Sequence, residues 1–380
     1  MKRTIVFVTG TRADYGKIKP LIRAVEEETD HACVIFATGM HTLDRYGFTI
    51  DEIRKNDHRR VHMYTNQVLE ETMDQILGNT IGGFSRFVHD VKPDLIVIHG
   101  DRLEALAGAS VGALAGITVA HIEGGEVSGT VDESIRHAVS KLSHLHLVAN
   151  SEAALRLRQL GEEEERIHII GSPEIDVMLS SDLPSLDEVR HRYEIPFDHY
   201  AIGIFHPVTT ELGSLAKQVE AYIEALVASK KNYVLIYPNN DVGSSVIFDR
   251  LIGLISSQSF KLYPSLRFEY FLTLLRNAQF IIGNSSVGVR EAPVYGVPSV
   301  DIGSRQRHRG TAASILKCKP ERDSIDAAII QVSRMGRCPP SLSNGSGHSR
   351  DSFLNLLRRE VPWHVSLQKH FQPYQPDSGQ

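Results

Sequence analysis

Cysteine is scarce in this 380-residue chain: Cys33, Cys318 and Cys338 are scattered and odd in number. They offer neither a zinc spacing nor a disulfide framework, and they suit a reducing compartment. Basic charge is also short. Lys and Arg total 41 against 46 Asp and Glu, for a formal charge of −5. That leaves no electropositive footprint for nucleic acid or an anionic membrane surface. No apolar run approaches the ~18 residues of a spanning helix, and the run at 4–9 after Met1-Lys2-Arg3 is too brief for a secretory leader. A Gly-x-Gly-x-x-Gly turn after the first strand is missing too, which argues against NAD. These absences predict a cytoplasmic globular protein.

Hydrophobic residues make up 42% and charged residues 23% of the chain, a balance and length that allow two domains with sizeable cores. In the first half, short β-rich runs recur at 4–9, 33–38, 94–99, 118–122 and 146–149. Amphipathic stretches such as 18–28 and 134–143 lie between them. The rhythm restarts after a run at 167–170, with strand candidates at 201–206, 233–237, 279–283 and 299–302. This alternation predicts an α/β protein of two Rossmann-like, doubly wound domains with a cleft between them, strand C-terminal ends facing it. The expected division is 1–171, 172–352 and 353–380, with a helix at 353–360. Residues 337–352, rich in Pro, Ser and Gly, read as a long mobile loop, and a disordered end is expected from Gln372.

The most informative segment is Gly283-Asn284-Ser285-Ser286-Val287-Gly288-Val289-Arg290-Glu291, after an apolar run and before a helical pattern. A strand, a Gly/Ser turn and a helix start bring free backbone N–H groups and a positive helix end to one point, an anion site. Ser285 and Ser286 add hydroxyl donors, and Gly288 lets a ligand approach the backbone. Glu291 is poorly placed for phosphate but well placed for a ribose diol, so the segment points to a nucleoside diphosphate carrying a sugar. An ordinary capped helix is the plain alternative.

Polar residues also follow other strands: Thr9-Gly10-Thr11-Arg12 with Lys17 beyond, His99-Gly100-Asp101-Arg102, and His121-Ile122-Glu123-Gly124-Gly125-Glu126. Asp132 and Arg136 share a helix face at i,i+4 spacing, where an ion pair or a Thr130/Glu133 capping motif would serve equally well. In the second half His206, then Asn239 and Asp241, then Arg305 in Gly303-Ser304-Arg305-Gln306-Arg307-His308-Arg309, each follow a strand. Arg there suits a pyrophosphate; turns and solvated loops are the competing readings.

Taken together, "GTRADYGKIKPL", "TGMH", "HGDRLEAL", "HIEGGEVSGTVDESIRHAVSKLSH", "GSPEIDVM", "FHPVTTE", "YPNNDVGS" and "GNSSVGVREAPVYGVPSVDIGSRQ" resemble the hydrolysing UDP-N-acetylglucosamine 2-epimerases of bacterial sialic-acid pathways. The non-hydrolysing branch has "GTRPE" and "HRREN" where this chain has Ala13-Asp14-Tyr15 and Pro207-Val208-Thr209. The resemblance implies the glycosyltransferase-B type of fold, the active site in the interdomain cleft, and a C-terminal helix returning to the first domain. It implies a UDP-sugar substrate held by Arg12, His206, Ser285, Ser286 and Arg305, with Glu291 on the ribose; Lys17, five residues after Arg12, is a further candidate for binding it. Asp101, Glu123 and Asp132 would be the acid/base residues, with Arg136 holding substrate or charge. One departure stands out: the non-hydrolysing branch carries Glu where Asp132 aligns. A homodimer or homotetramer is implied, and the chemistry requires neither cofactor nor metal. Three other readings stay open: a metal-dependent hydrolase using His99, Asp101, His121, Glu123 and His206, a glycosyltransferase of the same fold, and a UDP-sugar sensor. The related diacetamido-trideoxy sugar of legionaminic-type pathways is an alternative substrate.

Overall fold

Ile5, Val6, Phe7 and Val8 are all buried, so the first strand reads as a continuous apolar run, as strands covered on both faces of a parallel sheet do. The computed structural model describes residues 2–56, 58 and 60–373; residues 374–380, within the stretch expected to be disordered, lie outside them. Seven parallel strands form the first sheet: β1 (Thr4–Thr9), β2 (Ala32–Ala37), β3 (Val61–Met63), β4 (Leu95–His99), β5 (Thr118–Ile122), β6 (Leu145–Val148) and β7 (Ile167–Ile169), in the order β3-β2-β1-β4-β5-β6-β7. The second sheet contains β8 (Ala201–Ile204), β9 (Tyr233–Ile236), β10 (Phe260–Tyr263), β11 (Ile281–Gly283), β12 (Ser299–Ile302) and β13 (Ile315–Cys318), in the order β10-β9-β8-β11-β12-β13. The chain is therefore an α/β protein with two doubly wound parallel sheets. In each, strand order reverses at one place, β1 beside β4 and β8 beside β11, and the crevice at such a point is where ligands bind.

The sequence pattern missed β3, β10 and β13. All three are edge strands, half-exposed and interrupted by polar residues such as His62, Lys261 and Lys317, so none gives a continuous apolar run. The helix expected from residue 18 spans Arg12–Glu28, because Thr11 caps it by accepting the Asp14 N–H at 3.1 Å. The helix expected from 134 spans Val131–Leu142 with Thr130 as N-cap. Glu133 does not complete a capping box with Thr130; its carboxylate accepts the Ser128 N–H at 2.9 Å.

Apolar side chains on both faces of each sheet make the cores. Helix Ser349–Arg358 carries Phe353, Leu356 and Leu357 into the core around Ile5, Phe7 and Leu21, so the C-terminal part of the chain packs on the first sheet. Burying a side chain such as Phe353 contributes about 1.5–3 kcal/mol. The segment before this helix corrects the expectation of a mobile loop. Cys338 and Ser341 donate N–H bonds to Gly296 O and Pro293 O, both 2.9 Å, and Asn344 O accepts from Ser172 N at 2.7 Å. Its Gly and Pro residues shape turns that pin it to the body.

Candidate active site

The C-terminal ends of the two sheets face each other across a cavity of about 220 Å³. Lys17, His99, Asp101, Glu123, Asp132 and Arg136 line it from the first half; His206, Asn239, Asp241, Ser285, Ser286, Arg290, Glu291 and Arg305 line it from the second. A less polar cavity of about 160 Å³ adjoins it. The two share Thr11, His206, Asn239 and Ser285, and the smaller one adds Arg12, Tyr237 and Leu266.

Three carboxylates expected from the sequence meet here in different environments. Glu123 follows β5 with φ 64°, a left-handed conformation that a β-unbranched residue adopts only when its surroundings demand it. Burial would raise its carboxyl, but Arg290 and the imidazolium of His99 outweigh that and hold it well below the usual range. Asp101 bonds the guanidinium of Arg136. Burial again opposes ionisation there, yet Arg136, Arg309 and Arg305 keep the carboxyl low. Asp132 goes the other way: burial, the neighbouring Asp101 and Asp241 raise it, against Arg305 at 3.7 Å. Carboxyl groups whose surroundings drive their proton affinities apart are the makings of an acid/base pair. Arg136 thus pairs with Asp101 and with Glu123 O at 2.6 Å, not with Asp132 on its own helix.

His99 lies behind Glu123. Its Nδ1 meets Asp14 Oδ1 at 2.7 Å and its Nε2 lies 3.4 Å from Glu123 Oε2. Burial would lower its pKa, but Glu123 and Asp14 raise it to about 10, so the ring is an imidazolium holding the carboxylate in place.

The second half supplies donors. Asn239 donates its N–H to His206 Nδ1 at 3.0 Å, and the His206 N–H binds Asn284 Oδ1 at 2.7 Å. Burial, then Arg305 and Arg102, lower the His206 pKa far below its ordinary value. The ring is neutral, Nδ1 is an acceptor, and the proton sits on Nε2, free to donate. Gly283, at φ 142°, lets β11 turn sharply; a Cβ there would lie 1.8 Å from Ile204 O. After it, the backbone N–H groups of Ser285 and Ser286 have no acceptor among the described residues, leaving donors for an anion.

Two of the sequence expectations need correction, the length of the helix here and the place of Gly288. The helix after this turn is a single four-residue turn, Glu291–Val294, preceded by a 3-10 turn at Ser286–Gly288. Gly296, at φ 63°, ends it in a left-handed turn, with its N–H on Pro293 O at 3.0 Å and the Val297 N–H on Ala292 O at 2.9 Å, so the free donors here are those of the turn more than of a helix end. Gly288 does not line the cavity: a Cβ on it would point at Ser299 and Ile281, 3.6 and 3.9 Å away. Arg12 faces the adjoining cavity, bonded to Glu52 and, at 3.0 Å, to Ser265 Oγ. Glu291 is buried and ion-paired with Lys17 at 2.8 Å. Sequence reasoning missed Arg290 and Glu174 as site residues. Arg290 NH2 bonds Glu123 at 2.6 Å and Glu174 at 2.7 Å, and its NH1 bonds Glu126. Burial and Glu123 raise the Glu174 carboxyl to about 7 against Lys17 and Arg290. Arg290 stood inside the motif that drew attention first; a lone Arg after a turn gave no separate signal.

Donor atoms of His99, Glu123 and Glu174 lie within 4.8 Å of one another, a spacing that could hold a metal ion. Both carboxylates are already bonded by Arg290, with Lys17 3.7 Å from Glu174, so the charge a cation would supply is in place. His121 is elsewhere: its Nε2 meets Gly100 O at 2.7 Å and its Nδ1 meets Ser140 Oγ at 3.2 Å. That removes a ligand from the metal-dependent reading.

Fold and cavity together define a two-sheet α/β protein whose cleft carries, among the described residues, unpaired turn N–H groups on one side and carboxylates on the other. Comparison with known proteins is specific. The family model for UDP-N-acetylglucosamine 2-epimerase matches residues 23–358. A UDP-N-acetylglucosamine 2-epimerase of Neisseria meningitidis serogroup B is 48% identical over 374 residues, covering 98% of this chain and 99% of its own. A Legionella pneumophila UDP-N,N'-diacetylbacillosamine 2-epimerase (hydrolyzing) is 31% identical, with 97% and 98% covered. Among solved structures, UDP-GlcNAc 2-epimerase of Methanocaldococcus jannaschii in complex with UDP-GlcNAc and UDP superposes with a TM-score of 0.79 at 21% identity, covering 94% of this chain and 99% of that one. The chain belongs to the UDP-N-acetylglucosamine 2-epimerase family.

Proposed function

We propose that the protein is a hydrolysing 2-epimerase that converts UDP-N-acetylglucosamine and water to N-acetylmannosamine and UDP, as the first step toward sialic acid. The observation that carries this is the meeting of Asp101, Glu123 and Asp132 with Arg136 in one cavity, opposite neutral His206 and the Ser285–Ser286 turn. The 48% identity to the Neisseria enzyme supports UDP-N-acetylglucosamine as the substrate.

The C2 hydrogen of the sugar is not acidic, since no carbonyl adjoins it. Breaking the bond from C1 to the UDP oxygen first, with its electron pair leaving on UDP, builds positive charge at C1 and acidifies C2–H. A carboxylate takes the C2 proton, leaving a C1=C2 double bond in 2-acetamidoglucal. Water then adds its oxygen at C1, its proton passing to a carboxylate, while C2 receives a proton on the opposite face. Protons balance, and no redox partner is needed.

His206 Nε2–H, the Ser285 and Ser286 groups and Arg305 are set to stabilise the departing pyrophosphate by preorganised donors and charge. Asp101 and Glu123, held ionised, suit proton removal; Asp132, with its raised carboxyl, suits proton return. The adjoining cavity, with Arg12, Tyr237 and Leu266, suits the uracil, and Glu291 the ribose once Lys17 shares it. The protein works as a homodimer or homotetramer, a state that light scattering reads directly.

Proton NMR with UDP-N-acetylglucosamine in D₂O containing EDTA tests the reading. UDP and C2-deuterated N-acetylmannosamine are expected. UDP-N-acetylmannosamine as product would place the chain among non-hydrolysing epimerases, and loss of activity in EDTA would overturn the metal-free mechanism.

A further inference from the structure

Arg290 is a buried guanidinium of the second half that crosses the cleft. Its NH2 bonds Glu123 Oε1 at 2.6 Å and its NH1 bonds Glu126, both in the loop after β5 of the first half. The same NH2 bonds Glu174 Oε1 at 2.7 Å and Ser172 Oγ at 2.9 Å, on the segment that joins the halves. A guanidinium presents five donors in a rigid planar fork, which fixes the direction of each carboxylate it serves; an ammonium presents three rotatable donors and fixes none.

We propose that Arg290 is a positioning residue that couples closure of the two halves to the set of Glu123, holding that carboxylate in its working orientation only while the halves are together. The role rests on the reading of Glu123 as a proton-transfer group.

The geometry divides the labour. With its backbone at φ 64°, Glu123 has a fixed Cα–Cβ direction, and its partners place the carboxylate end. One oxygen faces His99 at 3.4 Å; His99 ends β4 and stays with Glu123 whatever the second half does. The other oxygen depends on Arg290, which leaves with the second half. Opening the cleft therefore strips one side of Glu123 and takes from Glu126 the bonds that its Oε2 receives from Arg290 and Arg309. A UDP-sugar bound against the Ser285–Ser286 turn draws the halves together and restores both. Chemistry is thereby confined to the closed, substrate-filled state, where a glycal intermediate is kept from premature release.

The test compares Arg290→Met and Arg290→Lys with wild type for turnover of UDP-N-acetylglucosamine, UDP affinity by calorimetry, and the radius of gyration with and without UDP by X-ray scattering. The expectation for Arg290→Met is a kcat at least ~100-fold down, UDP affinity within about threefold of wild type, and loss of the contraction that UDP induces. Arg290→Lys, keeping charge but not the fork, is expected to recover part of kcat and of the contraction. Should Arg290→Met fail to fold because Glu174 is left uncompensated, Arg290→Met/Glu174→Gln carries the same comparison. Parallel losses of kcat and UDP affinity, or Arg290→Met with kcat within threefold of wild type, would overturn the proposal. If wild type yields no N-acetylmannosamine, the functional reading fails instead, and the UDP-induced contraction still decides the role of Arg290.

Discussion

The guanidinium of Arg136 bonds the carboxylate of Asp101, the end of a different strand, and passes over Asp132 four residues before it on its own helix. That choice separates two neighbouring acids. Asp101 gains a counter-ion and stays ionised; Asp132 is left with burial and like charge and is pushed up.

Asp101→Asn, Glu123→Gln and Asp132→Asn are each expected to lower turnover at least ~100-fold, the usual worth of a positioned acid or base. Initial rates of UDP release read this directly. Near-normal rates in all three would remove the carboxylates from the mechanism.

His206 donates as a neutral ring, because Asn239 N–H occupies Nδ1. His206→Ala removes one hydrogen bond to a charged ligand, worth about 1.5–3 kcal/mol, so UDP should bind roughly 10- to 100-fold more weakly by calorimetry. Unchanged affinity would place the pyrophosphate elsewhere.

Gly129 donates its N–H to Arg305 O across the cleft at 3.1 Å, and a Cβ on it would lie 2.2 Å from Ser304 O. Gly129→Val should hold the halves apart. Misplacing catalytic groups by even ~1 Å costs on the order of 100-fold, so kcat should fall steeply while UDP, gripped by the second half, binds nearly as before. A kcat close to wild type would mean that the halves close by another route.

Glu162 is buried among Lys141 at 2.7 Å, His146 at 2.9 Å and Lys369 at 2.5 Å. Burial opposes its ionisation, but these partners depress its pKa to about 2. A depressed carboxylate stabilises the fold above its unfolded value, about 4.3, and that contribution fades as pH falls toward 2. Glu162→Gln should therefore lower the melting temperature at pH 7, with the gap to wild type narrowing between about pH 4.5 and 2. A gap that does not change with pH would contradict the pairing.

Strands buried on both faces were legible because they are continuous apolar runs: 4–9 and 118–122 coincide with β1 and β5. Edge strands were not, since Lys317 or His62 on a half-exposed strand looks like a loop. Helix starts were read late where a polar first turn, Arg12 to Lys17, precedes the apolar stripe.

The sequence alone determined the two-sheet α/β plan, the family, and which strand ends would carry polar residues, since each follows from local pattern. Tertiary structure alone decided the partnerships. It gave Arg136 to Asp101, Lys17 to Glu291 and Arg290 to three carboxylates up to 167 residues away. Ion pairing in a buried cleft depends on distance and desolvation in space, and neither is written in the spacing of residues along the chain.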